Sequence, residues 1–213
     1  MTSIAIYVEG GGDSRDGKAA LRQGFDALLD RQKTAARIRK MGWKVVLCGG
    51  RDTTFEAFQH AASDYPTDVI ALLVDAERPV ANATPDGRVA HLVSQDRWEL
   101  GGVAAERVHL MTQCMEAWII ADAEQLAAYY GKDFRVNALP RRTVLDDEPK
   151  DSLYSALRAA SKDTQKGAYS KIKHASDLLK RVRPDKVAAR CTSFQQFAGW
   201  LGFAITGTLP TDP

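Results

Sequence analysis

The hydrophobic positions in the first two thirds of the chain fall into four short runs rich in β-branched residues. Segments with helical periodicity separate these runs, which cover residues 4–8, 45–48, 69–74 and 108–111. Such alternation predicts βαβ units and a parallel sheet. The third run is apolar at every position, which is typical of a central strand covered by helices on both faces. We therefore predict an α/β fold with a mostly parallel four-stranded sheet flanked by helices.

Helical patterns fill the spaces between the strands and continue alone after residue 111. Leu21, Phe25 and Leu28 predict a first crossover helix, and Asp52 or Thr53 is expected to cap a second one. Further helices are predicted over residues 115–121, 126–130, 153–160, 172–182 and 194–201. Proline and charged residues between 139 and 149 mark a connector. We predict an α/β domain at 1–140, a helical basic appendage at 141–206 and a loose tail at 207–213.

Composition narrows the class of protein. A chain of 213 residues with 45% hydrophobic content can bury a good core. No apolar run approaches the roughly 18 residues that a membrane helix needs, and no charged leader with a cleavage site is evident, so we expect a cytoplasmic protein without membrane contact. The three cysteines are widely spaced and favour neither disulfides nor a structural zinc site.

Charge is unevenly distributed along the chain. Residues 1–140 hold 16 Lys and Arg against 19 Asp and Glu, whereas residues 141–190 hold 13 against 7. A basic segment beside an acidic one suits a polyanionic substrate held near acidic metal ligands. The more common meaning of such an excess is a solvated helix face.

Acidic residues directly follow two of the predicted strands. Glu9 follows the first, with Asp13 beyond three glycines, while Asp75 and Glu77 follow the third. The carboxyl ends of parallel strands meet at one edge, and an extended continuation would point Asp75 and Glu77 to the same side. Crowded carboxylates need a hard cation, and Mg²⁺ (or Mn²⁺) prefers oxygen ligands. The alternative is that Asp13 caps a helix and Asp75 starts a turn.

Glu9-Gly10 and Asp75-Ala76-Glu77 resemble the motifs of the Toprim fold found in primases, topoisomerases and the overcoming-lysogenization-defect nucleases. The last acid is Glu here, where the Toprim pattern has Asp. The resemblance implies a Mg²⁺-dependent nuclease of DNA or RNA with Glu9, Asp75 and Glu77 as catalytic and metal-binding residues. An acid at the position of Asp13, a further metal ligand, favours hydrolysis over primer synthesis or strand passage.

A closer resemblance is to a bacterial Toprim-like family known as domain of unknown function 4276. The motifs that carry it lie at residues 8–13, 48–51, 73–75, 109–118, 129–131, 149–150 and 166–169. Toprim nucleases of this branch often act with an ABC-type ATPase in antiviral defence, so the resemblance permits such a partner. The alternative is a non-catalytic partner or regulator of such an ATPase, which would use the helical third as its interface.

Other polar residues are candidates for the same site. Arg51 follows the second strand and could clamp a phosphate, and Glu116 follows the fourth as a metal ligand or base. Lys150 is a candidate catalytic cation that stabilises a leaving oxygen. The remaining candidates for nucleic-acid binding are Lys166, Lys171, Lys173 and His174. Each could instead be an ordinary surface residue.

Two rival sites remain open. The segment from Gly12 to Lys18 matches the glycine and lysine spacing of a phosphate loop, but Ala19 lacks the hydroxyl that holds Mg²⁺. It would be a degenerate nucleotide-binding loop. Cys114 with His109 or His174 could form a thiol nucleophile and base, although cysteine is commonly a buried small hydrophobe.

Overall fold

The computed structural model describes residues 2–12 and 14–207. Within them lies a four-stranded, all-parallel sheet in the order β2-β1-β3-β4. The strands are β1 (Ser3–Glu9), β2 (Gly42–Gly49), β3 (Val69–Asp75) and β4 (Val108–Met111). The predicted α/β class is confirmed. The all-apolar third run forms β3, which lies between β1 and β4 and is therefore a central strand, as expected. Its residues contribute to a hydrophobic core on each face of the sheet.

The register of the sheet brings the strand ends to one edge. Val8 of β1 lies opposite Leu73 of β3, and Asp75 lies opposite Met111 of β4. Glu9 therefore ends one central strand and Asp75 ends its neighbour. We call this side of the sheet the carboxyl edge.

Helices in the first half of the chain cover the two faces of the sheet. They are α1 (Arg15–Leu28), α2 (Asp30–Ile38), α3 (Arg51–Asp64) and α4 (Pro85–Asp96). Alternate residues of β1 face opposite ways: Ile4 and Ile6 join a core with Phe25 of α1, whereas Ala5 joins a core with Phe58 of α3. The period of two in the strand thus separates two hydrophobic cores.

The rest of the described chain is helical. Its helices are α5 (Met115–Ile120), α6 (Ala123–Tyr130), α7 (Lys150–Ser161), α8 (Lys171–Leu179), α9 (Pro184–Arg190) and α10 (Thr192–Thr206). Leu178 of α8 and Phe197 of α10 belong to the same hydrophobic core as Ile6 of β1. The helical third therefore shares its core with the sheet and has a fixed position beside it.

Several local features differ from the sequence predictions. α2, α4 and α9 were not predicted, although Thr84 followed by Pro85 is a recognisable helix start, and the Thr84 side chain does accept from the Gly87 amide. The predicted cap of α3 was wrong. Gly50 occupies that position, and the Asp52 carboxylate instead accepts from the Trp98 indole at 2.9 Å.

Two predicted features cannot be placed. Asp13 and residues 208–213 of the tail lie outside the described residues. No helix in the described ranges is long and apolar enough to cross a membrane.

Candidate functional site

Glu9 and Asp75 meet at the carboxyl edge, as the sequence predicts. The Arg51 guanidinium links them, since its Nη1 donates to Glu9 Oε2 at 3.0 Å and to the Asp75 carbonyl oxygen at 2.6 Å. Burial, and then the charge of Asp75, raise the pKa of Glu9 above its ordinary value, and the raising effects outweigh Arg51. The two carboxylates therefore repel each other across the gap between the central strands.

Asp75 is almost fully enclosed, with only 3% of the residue exposed. Its Oδ1 accepts from the Met115 backbone N–H at 2.8 Å, and its Oδ2 accepts from Lys171 Nζ at 3.1 Å. The two partners come from α5 and α8. The helical third thus supplies both groups that hold this carboxylate.

Glu116 joins the same arrangement from the first turn of α5. It is 2% exposed, its Oε1 accepts from the Tyr169 hydroxyl at 3.0 Å, and its Oε2 lies 4.0 Å from Lys171 Nζ. Burial alone would lower the pKa of Lys171, but the charges of Asp75 and then Glu116 raise it well above its ordinary value. Lys171 is therefore a firmly charged ammonium shared by two buried acids.

Arg51 is held in a brace rather than left free for a phosphate. Asp96 at the end of α4 accepts from its Nε at 2.8 Å and from its Nη2 at 2.7 Å. The guanidinium also lies 5.0 Å from the centre of the Trp98 ring. With Glu9 and the Asp75 carbonyl on its third nitrogen, Arg51 has little donor capacity left, which argues against the predicted phosphate clamp.

Glu77 does not continue the strand. Its backbone has φ of 64°, so β3 ends at Asp75 and the chain turns, contrary to the extended continuation that the sequence suggested. The Glu77 carboxylate accepts from Lys150 Nζ, with one oxygen at 2.6 Å. Burial alone would lower the pKa of Lys150, but the hydrogen bond that Lys150 donates to Glu77 and the nearby carboxylate charges raise it above its ordinary value. Lys150 therefore holds Glu77 as an ion pair.

Each of these charged residues at the edge takes part in an ion pair with another, and together we call them the carboxylate cluster: Glu9, Asp75, Glu77, Asp96 and Glu116, with Arg51, Lys150 and Lys171. Its five carboxylates outnumber its three cations, which leaves a formal excess of two negative charges. In the described ranges, no three His, Cys, Asp or Glu side chains are grouped closely enough to hold one metal ion.

A magnesium ion nevertheless suits part of the cluster. Mg²⁺ is commonly bound through one or two carboxylates, with water and substrate phosphate as the other ligands. Burial, and then the charge of Asp75, raise the pKa of Glu9, and a divalent cation held by this pair would offset the repulsion between the two carboxylates. The predicted third ligand, Glu77, is tied to Lys150.

The glycines after β1 form a tight loop beside the cluster. Gly10, Gly11 and Gly12 all have positive φ, and the Gly10 amide donates to the Gly49 carbonyl at 3.0 Å. A Cβ at Gly11 would lie 2.9 Å from Lys18, so the loop needs glycine to approach α1. The Lys18 ammonium donates a hydrogen bond to the Cys48 carbonyl oxygen at 3.3 Å. The lysine that a phosphate loop would use to bind phosphate is therefore already paired with the backbone.

The predicted nucleic-acid-binding residues of the helical third have different surroundings. Lys166 and Lys173 are exposed, and the Lys166 ammonium lies 4.8 Å from the centre of the Tyr129 ring. Lys171 points into the carboxylate cluster. His174 is buried, and its Nδ1 accepts from the Ser170 amide at 3.0 Å, so it does not present a surface for nucleic acid.

The thiol site has no support in the geometry. Burial, and then the charge of Glu116, raise the pKa of the Cys114 thiol far above its ordinary value, which disfavours a thiolate nucleophile. His109 packs against Phe197 and Trp200. Neither His109 nor His174 hydrogen bonds to Cys114 among the residues that the structure describes.

Sequence reasoning missed two residues of the candidate site. Asp96 ends a helix that was not predicted, and no local motif marks it as the partner of Arg51. Tyr169 was noted only as part of a motif, whereas its hydroxyl holds Glu116. Tyr169 lies in the short segment between α7 and α8, where no local pattern predicts burial. It is buried because Tyr154 of α7 and His174 of α8 pack against its ring.

Comparisons with known proteins give one match. A search of curated proteins and a search of solved structures found none. The family model described as "Domain of unknown function (DUF4276)" matches residues 8–202, which include every described residue of the carboxylate cluster. This chain therefore belongs to the DUF4276 family.

Proposed function

We propose that this protein is a divalent-metal-dependent nuclease of the Toprim type that hydrolyses phosphodiester bonds at the carboxylate cluster. The observation that supports the proposal most strongly is the meeting of Glu9 and Asp75 at the ends of adjacent parallel strands, with an uncompensated negative charge around them. Ligand chemistry in parallel sheets concentrates at this edge. Glu9 and Asp75 would hold Mg²⁺ or Mn²⁺ through their oxygens.

The metal, when bound, polarises the phosphorus–oxygen bond and lowers the pKa of a bound water. Lys171 then has a role of its own, because its ammonium is charged and its side chain is 42% exposed. It can neutralise negative charge that develops on the phosphoryl oxygens. Tyr169 fixes the orientation of Glu116, which in turn keeps Lys171 in position. The glycine loop allows a phosphate to approach without side-chain obstruction.

Replacement of single carboxylates tests the proposal. Asp75→Asn and Glu9→Gln should each lower Mg²⁺-dependent cleavage of single- and double-stranded DNA and RNA by about 1,000-fold, because each removes a charged metal ligand. Asp64→Asn, at the exposed end of α3, is the matched control and should cleave like the unmodified protein. EDTA should abolish cleavage by the unmodified protein and by Asp64→Asn.

Metal binding is measured separately by thermal unfolding. Mn²⁺ should raise the melting temperature of the unmodified protein and of Asp64→Asn, since a ligand of the folded state stabilises it. The increase should disappear in Asp75→Asn. Cleavage that survives in Asp75→Asn, or an equal Mn²⁺ effect in all three proteins, would refute the proposal.

A further inference from the structure

A cavity of about 390 Å³ opens beside the carboxylate cluster, between α1 and α8. Lys171 is the residue of the cluster that lines it, and two further lining residues adjoin the cluster. Gly10 directly follows Glu9, and the Met115 amide donates to Asp75, the carboxylate that the Lys171 ammonium also contacts. A group bound in this cavity would therefore lie next to the residues that hold Glu9 and Asp75.

The lining of this cavity combines two kinds of chemistry. Lys171 supplies a cation, and Ser14 caps the amino end of α1. Much of the rest is glycine backbone and the apolar side chains of Leu21, Met115 and Ile172. Such a cavity suits a ligand with an anionic group and a flat or apolar body.

Ile172 is the least expected residue of the cavity, because 94% of it is exposed. It begins the exposed side of α8 and has a lysine on either side in sequence. Gly12 also lines the cavity, and a Cβ there would meet no atom within 4 Å outside its chain neighbours. The lining thus includes both an exposed apolar side chain and bare glycine backbone.

The size of the cavity limits what can enter. Its volume lies near the lower end of the roughly 300–1,000 Å³ typical of small-molecule pockets, which is enough for one nucleoside but not for a base pair within a duplex. A base in a duplex is stacked and paired, and must leave the helix before it can occupy such a pocket.

We infer that this cavity receives one unpaired nucleotide, so that the substrate class is single-stranded nucleic acid. The inference rests on the proposed function. The base and sugar lie against Leu21, Met115 and Ile172, while the phosphate reaches Lys171 and the carboxylate cluster. Apolar side chains that contact the face of a base do not read its hydrogen-bonding edge, so the recognition is of strandedness and not of sequence.

Binding to short oligonucleotides tests the inference, with Ca²⁺ replacing Mg²⁺ to limit cleavage. The probes are a single-stranded DNA containing 2-aminopurine, the same sequence as RNA, and a blunt DNA duplex. We expect the protein to bind the single strands more tightly than the duplex and to change the 2-aminopurine fluorescence. Comparison of the DNA and RNA probes will show whether the unpaired nucleotide comes from single-stranded DNA or from RNA.

Two exposed isoleucines provide the matched variants. Ile172→Ala should weaken single-strand binding by about fivefold or more, because it removes one wall of the base contact. Ile38→Ala on α2, where the residue is 73% exposed, should change it by less than about twofold. Both substitutions are at exposed positions, and equal melting temperatures will show that both proteins are folded.

Several results would overturn the inference: no binding of either single strand, equal affinity for duplex and single strand, or an Ile172→Ala protein with unchanged affinity. The proposed function fails differently. A protein that prefers single strands through Ile172, yet cleaves none of them with Mg²⁺ or Mn²⁺, contradicts hydrolysis and leaves the binding site intact.

Discussion

Arg51 and Lys171 are both cations of the carboxylate cluster, but they are held very differently. Arg51 comes from the α/β layer, as do its partners Glu9 and Asp96, and only 17% of its side chain is exposed. Lys171 comes from the helical third and retains 42% exposure beside a cavity. The first cation fastens the ends of the strands together, whereas the second keeps part of its side chain exposed beside the cavity.

This difference assigns separate tasks to the two parts of the chain. The sheet layer positions the carboxylates, because hydrogen bonds from one guanidinium connect β1, β3 and the end of α4. The helical third adds the accessible cation, and Tyr169 adds a hydrogen bond that keeps Glu116 near it. The proposed hydrolysis would use both parts, the carboxylates to hold a metal and the cation to neutralise charge on the phosphate.

The largest expected effect separates stability from turnover. Arg51→Met should lower the free energy of unfolding by about 3 kcal/mol, because it leaves acidic partners unpaired in a mostly buried place. Its melting temperature should fall by roughly 6–12 °C. Lys171→Met should lower Mg²⁺-dependent turnover by about 100-fold, because the cation at the phosphate is lost. Thermal unfolding and cleavage rates, measured on the same preparations, check both.

Lys173→Met is the control for the second substitution, since it removes an exposed lysine from the same helix. It should retain turnover within about threefold at saturating substrate. The comparison fails if Arg51→Met is as stable as the unmodified protein, or if Lys171→Met and Lys173→Met have the same turnover.

The sequence predicted the sheet well because its strands carry their own signal. The run over residues 69–74 is apolar throughout, and this alone indicates a central strand with an acid at its end. The pairing of cations could not be predicted in the same way. Lys171 is 96 positions from Asp75 in the sequence, and neither residue carries a local pattern that names its partner. Such contacts depend on where α8 packs, which is decided by its apolar face.

Glu77 illustrates the same limit on a shorter scale. Alternation along an extended chain predicts that it points to the side of Asp75. The backbone instead turns at Glu77, whose amide donates to the Gln113 carbonyl at 2.8 Å. That turn is fixed by the chain after β4, which the residues around Glu77 do not reveal.

A smaller effect concerns the pKa of Glu9. Burial and the Asp75 charge raise it above 4.5, the ordinary value for glutamate, whereas Arg51 opposes the increase. Asp75→Asn should therefore lower the pKa of Glu9, and Arg51→Met should raise it further. NMR titration of ¹³C-labelled glutamate carboxyl groups measures both changes. A higher Glu9 pKa in Asp75→Asn, or a lower one in Arg51→Met, would contradict the electrostatic description of the site.

The sign for metal binding follows from the raised pKa. Protonated Glu9 is a poor ligand for Mn²⁺, so the affinity for Mn²⁺ should fall as the pH drops through the pKa of Glu9, which lies above 4.5.

Without metal, the pH dependence of stability has the opposite sign. Because the pKa of Glu9 is higher in the folded protein than in the unfolded chain, protonated Glu9 favours the folded state. This contribution to the free energy of unfolding is fully present below the unfolded pKa and is lost as the pH rises through the folded pKa. Thermal unfolding with and without Mn²⁺ across this range measures both trends.

The smallest expected effect concerns the exposed lysines of the helical third. Lys166 and Lys173 remain candidates for phosphate contacts, whereas Lys171 belongs to the carboxylate cluster and must be left intact in this test. The double variant Lys166→Gln/Lys173→Gln should weaken single-strand binding and make the slope of log affinity against log salt shallower, by roughly one unit per lost contact. Turnover at saturating substrate should survive because the cluster is unchanged. Lys44→Gln, on an exposed residue in the first half of β2, should leave both quantities unaltered. An unchanged salt slope in the double variant would mean that the substrate approaches the Lys171 side without these two lysines.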